Sequence, residues 1–335
     1  DGIEAVVGIP FYDEDDTLPG VVETACRGLA LAGLAGKSIV LCVGPEGSKN
    51  ALDAALKKGD EDHGVLVHGF LHARGLEGRG CCNHSILEAA SRFGVPLVLL
   101  PPDISPQSNS ADEEGQGFSA TWIPRLLTPV HDQEQDLALP RFSRDPLARA
   151  VESFIESPIF TGIFGIRLRQ PAPGVMALSA RLVRSCLSAA DYGTEDPGAY
   201  GFEPWLVTHT LAEELVICEV PLGAAAFKHR VGKLKPAFRQ ATHALFNQVV
   251  RHSKIWLERT DPIEAPRVSG PYIDVMTPRL SIEPKDIHRR FKYEFNHFDH
   301  TVLFAIIPDE LRRRMERLAD EGPNGAGLTE EDWIK

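Results

Sequence analysis

The 335-residue chain contains no apolar run approaching the roughly 20 residues that a membrane-spanning helix needs, so no transmembrane helix is expected. Basic charge is also scarce. Thirty-five Lys and Arg face 47 Asp and Glu, a formal charge of -12, which opposes non-specific attraction to nucleic acid or anionic lipid over most of the surface. An anionic ligand must therefore find a local basic site. The six cysteines (Cys26, Cys42, Cys81, Cys82, Cys186, Cys218) include no Cys-x-x-Cys pair, and several lie in apolar runs as small buried thiols would. Cys81-Cys82 reads as a pair of structural thiols, since adjacent cysteines rarely close a strain-free bridge. A reducing, cytoplasmic setting is expected. Asp1-Gly2-Ile3-Glu4 has neither the basic start nor the apolar core of a signal peptide, and without an initiator Met the sequence is expected to be a trimmed piece, so the absence of targeting is provisional.

What remains is an ordinary globular composition, 43% hydrophobic and 24% charged, long enough for two domains or one large α/β domain with additions. Ala5–Pro10, Ser38–Val43, Gly64–His68 and Pro96–Leu100 read as strands. Helices are expected over Thr17–Leu31, from a Ser48 cap to about Lys58, and over Asn83–Phe93. The last strand is apolar throughout, so helices should cover both of its faces. Strands alternating with helices predict a mostly parallel sheet with a ligand crevice beyond its carboxyl ends. Further on, Ser105–Gly117 reads as a mobile acidic loop, Trp122–Leu127 as the start of a helix, and Pro146–Phe164 as helical despite Pro158. Met176–Leu187 reads as strand then helix, Thr208–Leu215 as helix, and Val216–Val220 as strand. Phe238, Thr242, Leu245, Val249, His252 and Trp256 recur at three and four residues, predicting one long helix over Pro236–Arg259. The expected organisation is a catalytic domain over 1–230 and a helical region over 231–335.

Chemistry concentrates at the expected strand ends. Pro10, Phe11, Tyr12 and Glu14 put an aromatic and carboxylates on the first loop, suited to a base and ribose. A polar loop with Asp13–Asp16 biasing the helix N-terminus accounts for the pattern equally well. Gly78-Arg79-Gly80 lets backbone N–H groups and a guanidinium approach a phosphate, and Arg74 offers the same charge. Asp103, after Pro101-Pro102, is placed to hold a divalent metal bridging two phosphates, or to form a turn. Lys228-His229-Arg230 sets an imidazole between two cations. His209 and His243 read as core or cap residues, and His288, His297 and His300 as solvent- or subunit-facing.

The ordered series GIPFYDED, VLCVGPEG, LEGRG, VLLPPDI, AYGFEPWLVTHTL and LGAAAFKHR resembles the GT-A glycosyltransferases that make mannosylglycerate, glucosyl-3-phosphoglycerate and related glycosides. The resemblance implies a Rossmann-like GT-A fold with a helical C-terminal extension. It also implies retaining transfer of a hexose from a nucleotide-diphosphate sugar to a small, anionic, glycerate-like acceptor, assisted by Mg²⁺ or Mn²⁺. It assigns Pro10–Glu14 to the nucleotide and Gly78 and Arg79 to phosphate, with arginine where relatives have lysine. Asp103 and His229 are assigned to the metal, Glu203 to the sugar and acceptor as a catalytic acidic residue together with Asp103, and Trp205 to the same wall. Arg74, Lys228 and Arg230 would serve acceptor or phosphate.

Two carboxylates of the pattern are missing, at Pro101 and within Gln170–Val175. Their loss keeps open a protein that binds sugar nucleotide without turnover. A nucleotidyltransferase is disfavoured because no glycine-rich signature followed by Lys or Arg stands near residue 10. The apolar tail residues Ile287, Phe291, Phe295, Phe298, Leu303, Phe304 and Ile307 predict burial against the core or in a homodimer.

Overall fold

The structure, a computed structural model, describes residues 2–59, 63–72, 78–105, 117–143, 151–189, 201–227, 234–273, 284–298 and 300–321. The chain divides into two compact units, Asp1–Pro278 and Arg279–Lys335. In the first, the strands are β1 (Ala5–Pro10), β2 (Ser38–Pro45), β3 (Leu66–His72), β4 (Leu97–Leu99), β5 (Leu137–Ser143), β6 (Met176–Leu178), β7 (Ile217–Ala224) and β8 (Arg267–Val268). They form an eight-stranded sheet in the order β3-β2-β1-β4-β6-β5-β7-β8. β6 runs antiparallel to both neighbours, and the other pairings are parallel. The carboxyl ends of β1, β4, β5 and β7 and the amino end of β6 therefore share one edge.

The helices are α1 (Leu18–Leu31), α2 (Lys49–Gly59), α3 (Arg79–Phe93), α4 (Trp122–Asp132), α5 (Ser157–Gly162), α6 (Ala180–Ala189), α7 (Phe202–Ala212), α8 (Leu234–Arg251) and α9 (Ser253–Leu257). Side chains of α1, α2 and α4 build the core on one face with Val7, Ile9 and Val98. Those of α3, α5, α6, α7 and α8 build the other with Val6, Leu97 and Leu99. β1 and β4 are thus buried on both faces, as their unbroken apolar runs require. Each fully buried Val, Leu or Ile there contributes about 1.5–3 kcal/mol.

Several local expectations shift. β5 carries Pro140 and has no strand-like signal from periodicity. Its pairing with β6 ends at Ala138↔Ala177, so the missing Pro140 N–H lies past the partner strand and removes no ladder bond. Gln170 takes over that side: the Phe142 N–H donates to Gln170 Oε1 and Gln170 Nε2 donates to the Phe142 carbonyl, both at 3.0 Å. α3 begins at Arg79 rather than near Asn83, and α7 at Phe202 rather than Thr208. Ser48 does not cap α2; it ends a short 3₁₀ turn and its hydroxyl donates to the Tyr12 carbonyl. The expected long helix breaks at His252, whose backbone (φ -102°, ψ 29°) leaves helical geometry between α8 and α9.

The second unit contains α10 (Pro284–His297), α11 (His300–Ile306) and α12 (Asp309–Glu321). Part of the apolar tail packs on itself: Phe295 is buried between Phe291, His300 and Phe304, and the Arg312 guanidinium lies over the Phe304 ring. Phe298, Val302 and Ile306 are exposed. The tail histidines do not converge. His288, His297 and His300 contact the carbonyls of Leu318, Tyr293 and Phe295, respectively. Among the described residues, no helix is long and apolar enough to cross a membrane.

Candidate functional site

The loop leaving β1 divides the labour of its residues. Pro10 ends the strand and Phe11 is buried, its N–H donating to the Val43 carbonyl at 2.9 Å, so both belong to the core. Tyr12 is half exposed (51%) and presents the loop's aromatic surface. Glu14 is buried and turns its carboxylate back on the loop, where Oε2 accepts from the N–H groups of Tyr12 (2.7 Å) and Asp13 (3.1 Å). It shapes the turn that carries Tyr12.

β4 exits beside this loop. The Leu100 N–H donates to the Gly8 carbonyl at 3.0 Å, and the Thr17 hydroxyl donates to the Pro102 carbonyl at 2.6 Å, joining the first loop to the segment that ends in half-buried Asp103. On its other side, Ile104 bridges antiparallel to Phe227, and the Ser105 N–H donates to the Ala226 carbonyl at 2.8 Å. Asp103 is thus one residue from a segment whose next residues in sequence are Lys228, His229 and Arg230. Those three, Arg74 and most of the expected acidic loop (106–116) lie outside the described residues.

Arg79 opens α3 directly after Gly78, whose φ of 129° belongs to the region that favours glycine and whose lack of a side chain leaves the helix end open to a ligand. Arg79 Nη2 donates to the Gly174 carbonyl at 3.3 Å and lies 3.4 Å from Glu203 Oε1, on the first turn of α7. Its buried Nε–H has no acceptor among the described residues. Gly174 has φ 80°, and a Cβ there would stand 3.7 Å from Pro101 Cγ and 3.8 Å from Arg79 Nη2. Pro101, Arg79, Gly174 and Glu203 therefore meet, though they come from four separate parts of the chain.

Behind Glu203 lies an acidic pair that sequence reasoning missed. Glu152 and Glu156 sit on a π turn (Glu152–Glu156) preceding α5, and both are buried. Burial, then the charges of Glu152 and Glu203, push the Glu156 carboxyl well above the usual carboxylate range, which favours its protonated form. The four-residue spacing of two carboxylates in an apolar segment was the available signal. Thr17 was likewise missed, because its partner is remote in sequence.

Trp205, expected on the site wall, is only 3% exposed; it packs against Phe202 and stacks on His209, one helical turn away. It is a core residue, as is His209, whose Nε2 contacts Ser185 Oγ at 2.9 Å. His243 instead lies on the exposed face of α8, paired with Asn247. The cysteines among the described residues are free, and burial pushes the thiols of Cys26 to about 11 and of Cys42, Cys82 and Cys218 to about 12, which makes them unreactive. Among the described residues no group of three or more His, Cys, Asp or Glu converges as a metal site. Asp103 offers one hard oxygen donor at the crevice, which suits Mg²⁺ or Mn²⁺ when a diphosphate supplies further oxygens.

No family model matches the chain, and no curated protein matches it in sequence. Solved structures match its fold. Glucosyl-3-phosphoglycerate synthase from Mycobacterium tuberculosis, in complex with Mn²⁺, uridine diphosphate and phosphoglyceric acid, is 20% identical with a TM-score of 0.54; the match covers 74% of this chain and 78% of that one. The same enzyme was solved with Mg²⁺ and uridine diphosphate, at the same identity and TM-score, the match covering 74% of this chain and 79% of that one. Mannosyl-3-phosphoglycerate synthase from Rubrobacter xylanophilus is 14% identical with a TM-score of 0.51, covering 76% of each chain. The fold is of the GT-A kind: a mostly parallel sheet flanked by helices, as in these nucleotide-diphospho-sugar transferases.

Proposed function

We propose that the chain is a retaining glycosyltransferase that moves a hexose from a nucleotide-diphosphate sugar to a small anionic acceptor of the glycerate class. The observation that carries this reading is the meeting of Arg79 and Glu203 with Gly174 and Pro101, two residues before Asp103, on a GT-A sheet with exposed Tyr12 on the loop leaving β1. Tyr12 would stack on the base, while the α3 N-terminus and the Arg79 Nε–H, which has no acceptor among the described residues, would meet the diphosphate.

Asp103, with His229 as second protein ligand, would hold Mg²⁺ or Mn²⁺. A bound divalent cation supplies charge neutralisation on the departing diphosphate. Supporting this assignment, Ile104 pairs with Phe227, two positions before His229. In the transfer, the bond from C1 of the sugar to the phosphate oxygen breaks, the acceptor oxygen bonds to C1 on the same face, and the hydroxyl proton leaves to the diphosphate oxygen. The protein's contribution is positioning and electrostatic stabilisation. Arg74, Lys228 and Arg230 would supply positive charge for an anionic acceptor, and Glu203 would face the sugar.

Incubation with labelled UDP-, GDP- and ADP-hexoses, Mn²⁺ and glycerate or 3-phosphoglycerate tests the reading. A labelled glycoside from at least one pair is expected, with loss of product in Asp103→Ala. Binding of a sugar nucleotide without product from any pair would favour a binding protein that has lost turnover. The exposed Phe298, Val302 and Ile306 support a homodimer formed through the second unit, and sedimentation as a monomer at micromolar concentration would reject it. A cytoplasmic location follows from the same reading.

A further inference from the structure

Among the described residues, Arg79 is held on one side. Its Nη2 faces the Gly174 carbonyl at 3.3 Å and Glu203 Oε1 at 3.4 Å, whereas its buried Nε–H has no acceptor among the described residues. The pair is partly enclosed, with Arg79 29% and Glu203 14% exposed at the side chain, so their charges are less screened than on an open surface. An orphaned donor of this kind costs free energy until an acceptor arrives. Glu203 is anchored at the first turn of α7, where the helix dipole favours a carboxylate, and it lies close enough to buried Glu156 for the two to interact electrostatically. Any anion that takes the Nε–H of Arg79 thus comes close to a fixed negative charge.

We propose that Glu203 is a built-in counter-ion for Arg79: it holds the guanidinium in place for a diphosphate and, by its own charge, weakens the enzyme's grip on the diphosphate product. This rests on the transferase reading and adds to Glu203 a positioning role exerted through Arg79. The Gly174 carbonyl keeps the guanidinium in register when the carboxylate's charge is removed, so neutralising Glu203 leaves a pre-aimed donor without its competitor. Product release then becomes the step that the Glu203 charge accelerates.

The test is isothermal titration of UDP with Mn²⁺, and separately of inorganic pyrophosphate, into wild type, Glu203→Gln, Glu203→Asp and Arg79→Ala. Glu203→Gln should bind both probes about three- to tenfold more tightly, the result of removing one like charge beside the anion in a partly screened site. Glu203→Asp, which keeps the charge, should not tighten binding, and Arg79→Ala should weaken it. In turnover, Glu203→Gln should show stronger inhibition by UDP and a lower kcat accompanied by a lower donor KM. A structural defect would weaken binding in both Glu203 variants, so tightening confined to Gln is specific to the charge. Equal or weaker binding by Glu203→Gln, with wild type binding normally, overturns the counter-ion alone. Absence of binding by wild type to either probe overturns this inference together with the transferase reading.

Discussion

Thr17 and Pro102 are 85 residues apart in the chain, yet the Thr17 hydroxyl donates to the Pro102 carbonyl at 2.6 Å. This bond ties the entrance to α1 to the segment carrying Asp103, so the two loops that line the crevice move as one. Thr17→Val keeps the shape and removes the donor. It should cost about 1 kcal/mol of stability and weaken Mn²⁺-dependent UDP binding roughly fivefold. Calorimetric titration beside a thermal melt checks this, and unchanged affinity would show that the loops hold their positions without the bond.

Asp136 staples three elements of the sheet's far half. Its carboxylate accepts from Ser179 Oγ at 2.8 Å, from Arg181 Nε at 2.9 Å and from the Val216 N–H at 3.0 Å. Burial raises its pKa, but these bonds and the Arg181 charge outweigh it and hold the group below its ordinary value. Burial likewise holds His209 below its usual value, helped by the Arg251 charge and opposed by Glu213. Both depressed pKa values give stability that is present above the unfolded-state pKa and lost as pH falls through the folded one: first below about 6.5 for His209, then below about 4 for Asp136. Asp136→Asn should lower stability at pH 7 by roughly 3 kcal/mol and flatten the acid limb of the Tm profile. A Tm profile parallel to wild type below pH 5 would refute the assignment.

Glu156 has the opposite sign. Its raised folded-state pKa gives stability that is full below the unfolded value near 4.5 and declines as pH rises through the folded one. Glu156→Gln mimics the protonated carboxyl, so the variant should lose less Tm than wild type as pH rises above about 5. An unchanged alkaline slope would mean that Glu156 is ionised in the fold.

The order of strands and helices was legible because β1, β2 and α1 carry unbroken apolar runs or helical spacing that tertiary context only reinforces. The starts of α3 and α7 were not. Both have glycine N-caps, Gly78 and Gly201, which bring no side-chain cap, so cap-based reading passed over them to Asn83 and Thr208. β5 was hidden by Pro140, which is harmless only because β6 stops short of it. Arg79 could be nominated from its place before a helix and Asp103 from its place after a strand, whereas Glu203 could be nominated from the resemblance alone. Their contacts could not, since Pro101, Arg79, Gly174 and Glu203 are joined only by the crossing topology of the sheet. The two departures from the pattern of the glycosyltransferases it resembles, Pro101 and the acid-free Gln170–Val175, are neighbours: Gly174 lies against Pro101, and its carbonyl accepts from the Arg79 guanidinium.

On the proposed function, the carboxyl edge of the sheet binds a nucleotide diphosphate through Arg79 and through a metal held by Asp103. Titration calorimetry of UDP with and without Mn²⁺ into wild type, Asp103→Ala and Arg79→Ala tests it most directly. The account predicts that wild type binds UDP at least tenfold more tightly with Mn²⁺, that Asp103→Ala loses this metal dependence while staying folded, and that Arg79→Ala is weakened whether or not metal is present. Affinity and metal dependence unchanged in both variants would place the ligand elsewhere and contradict the account.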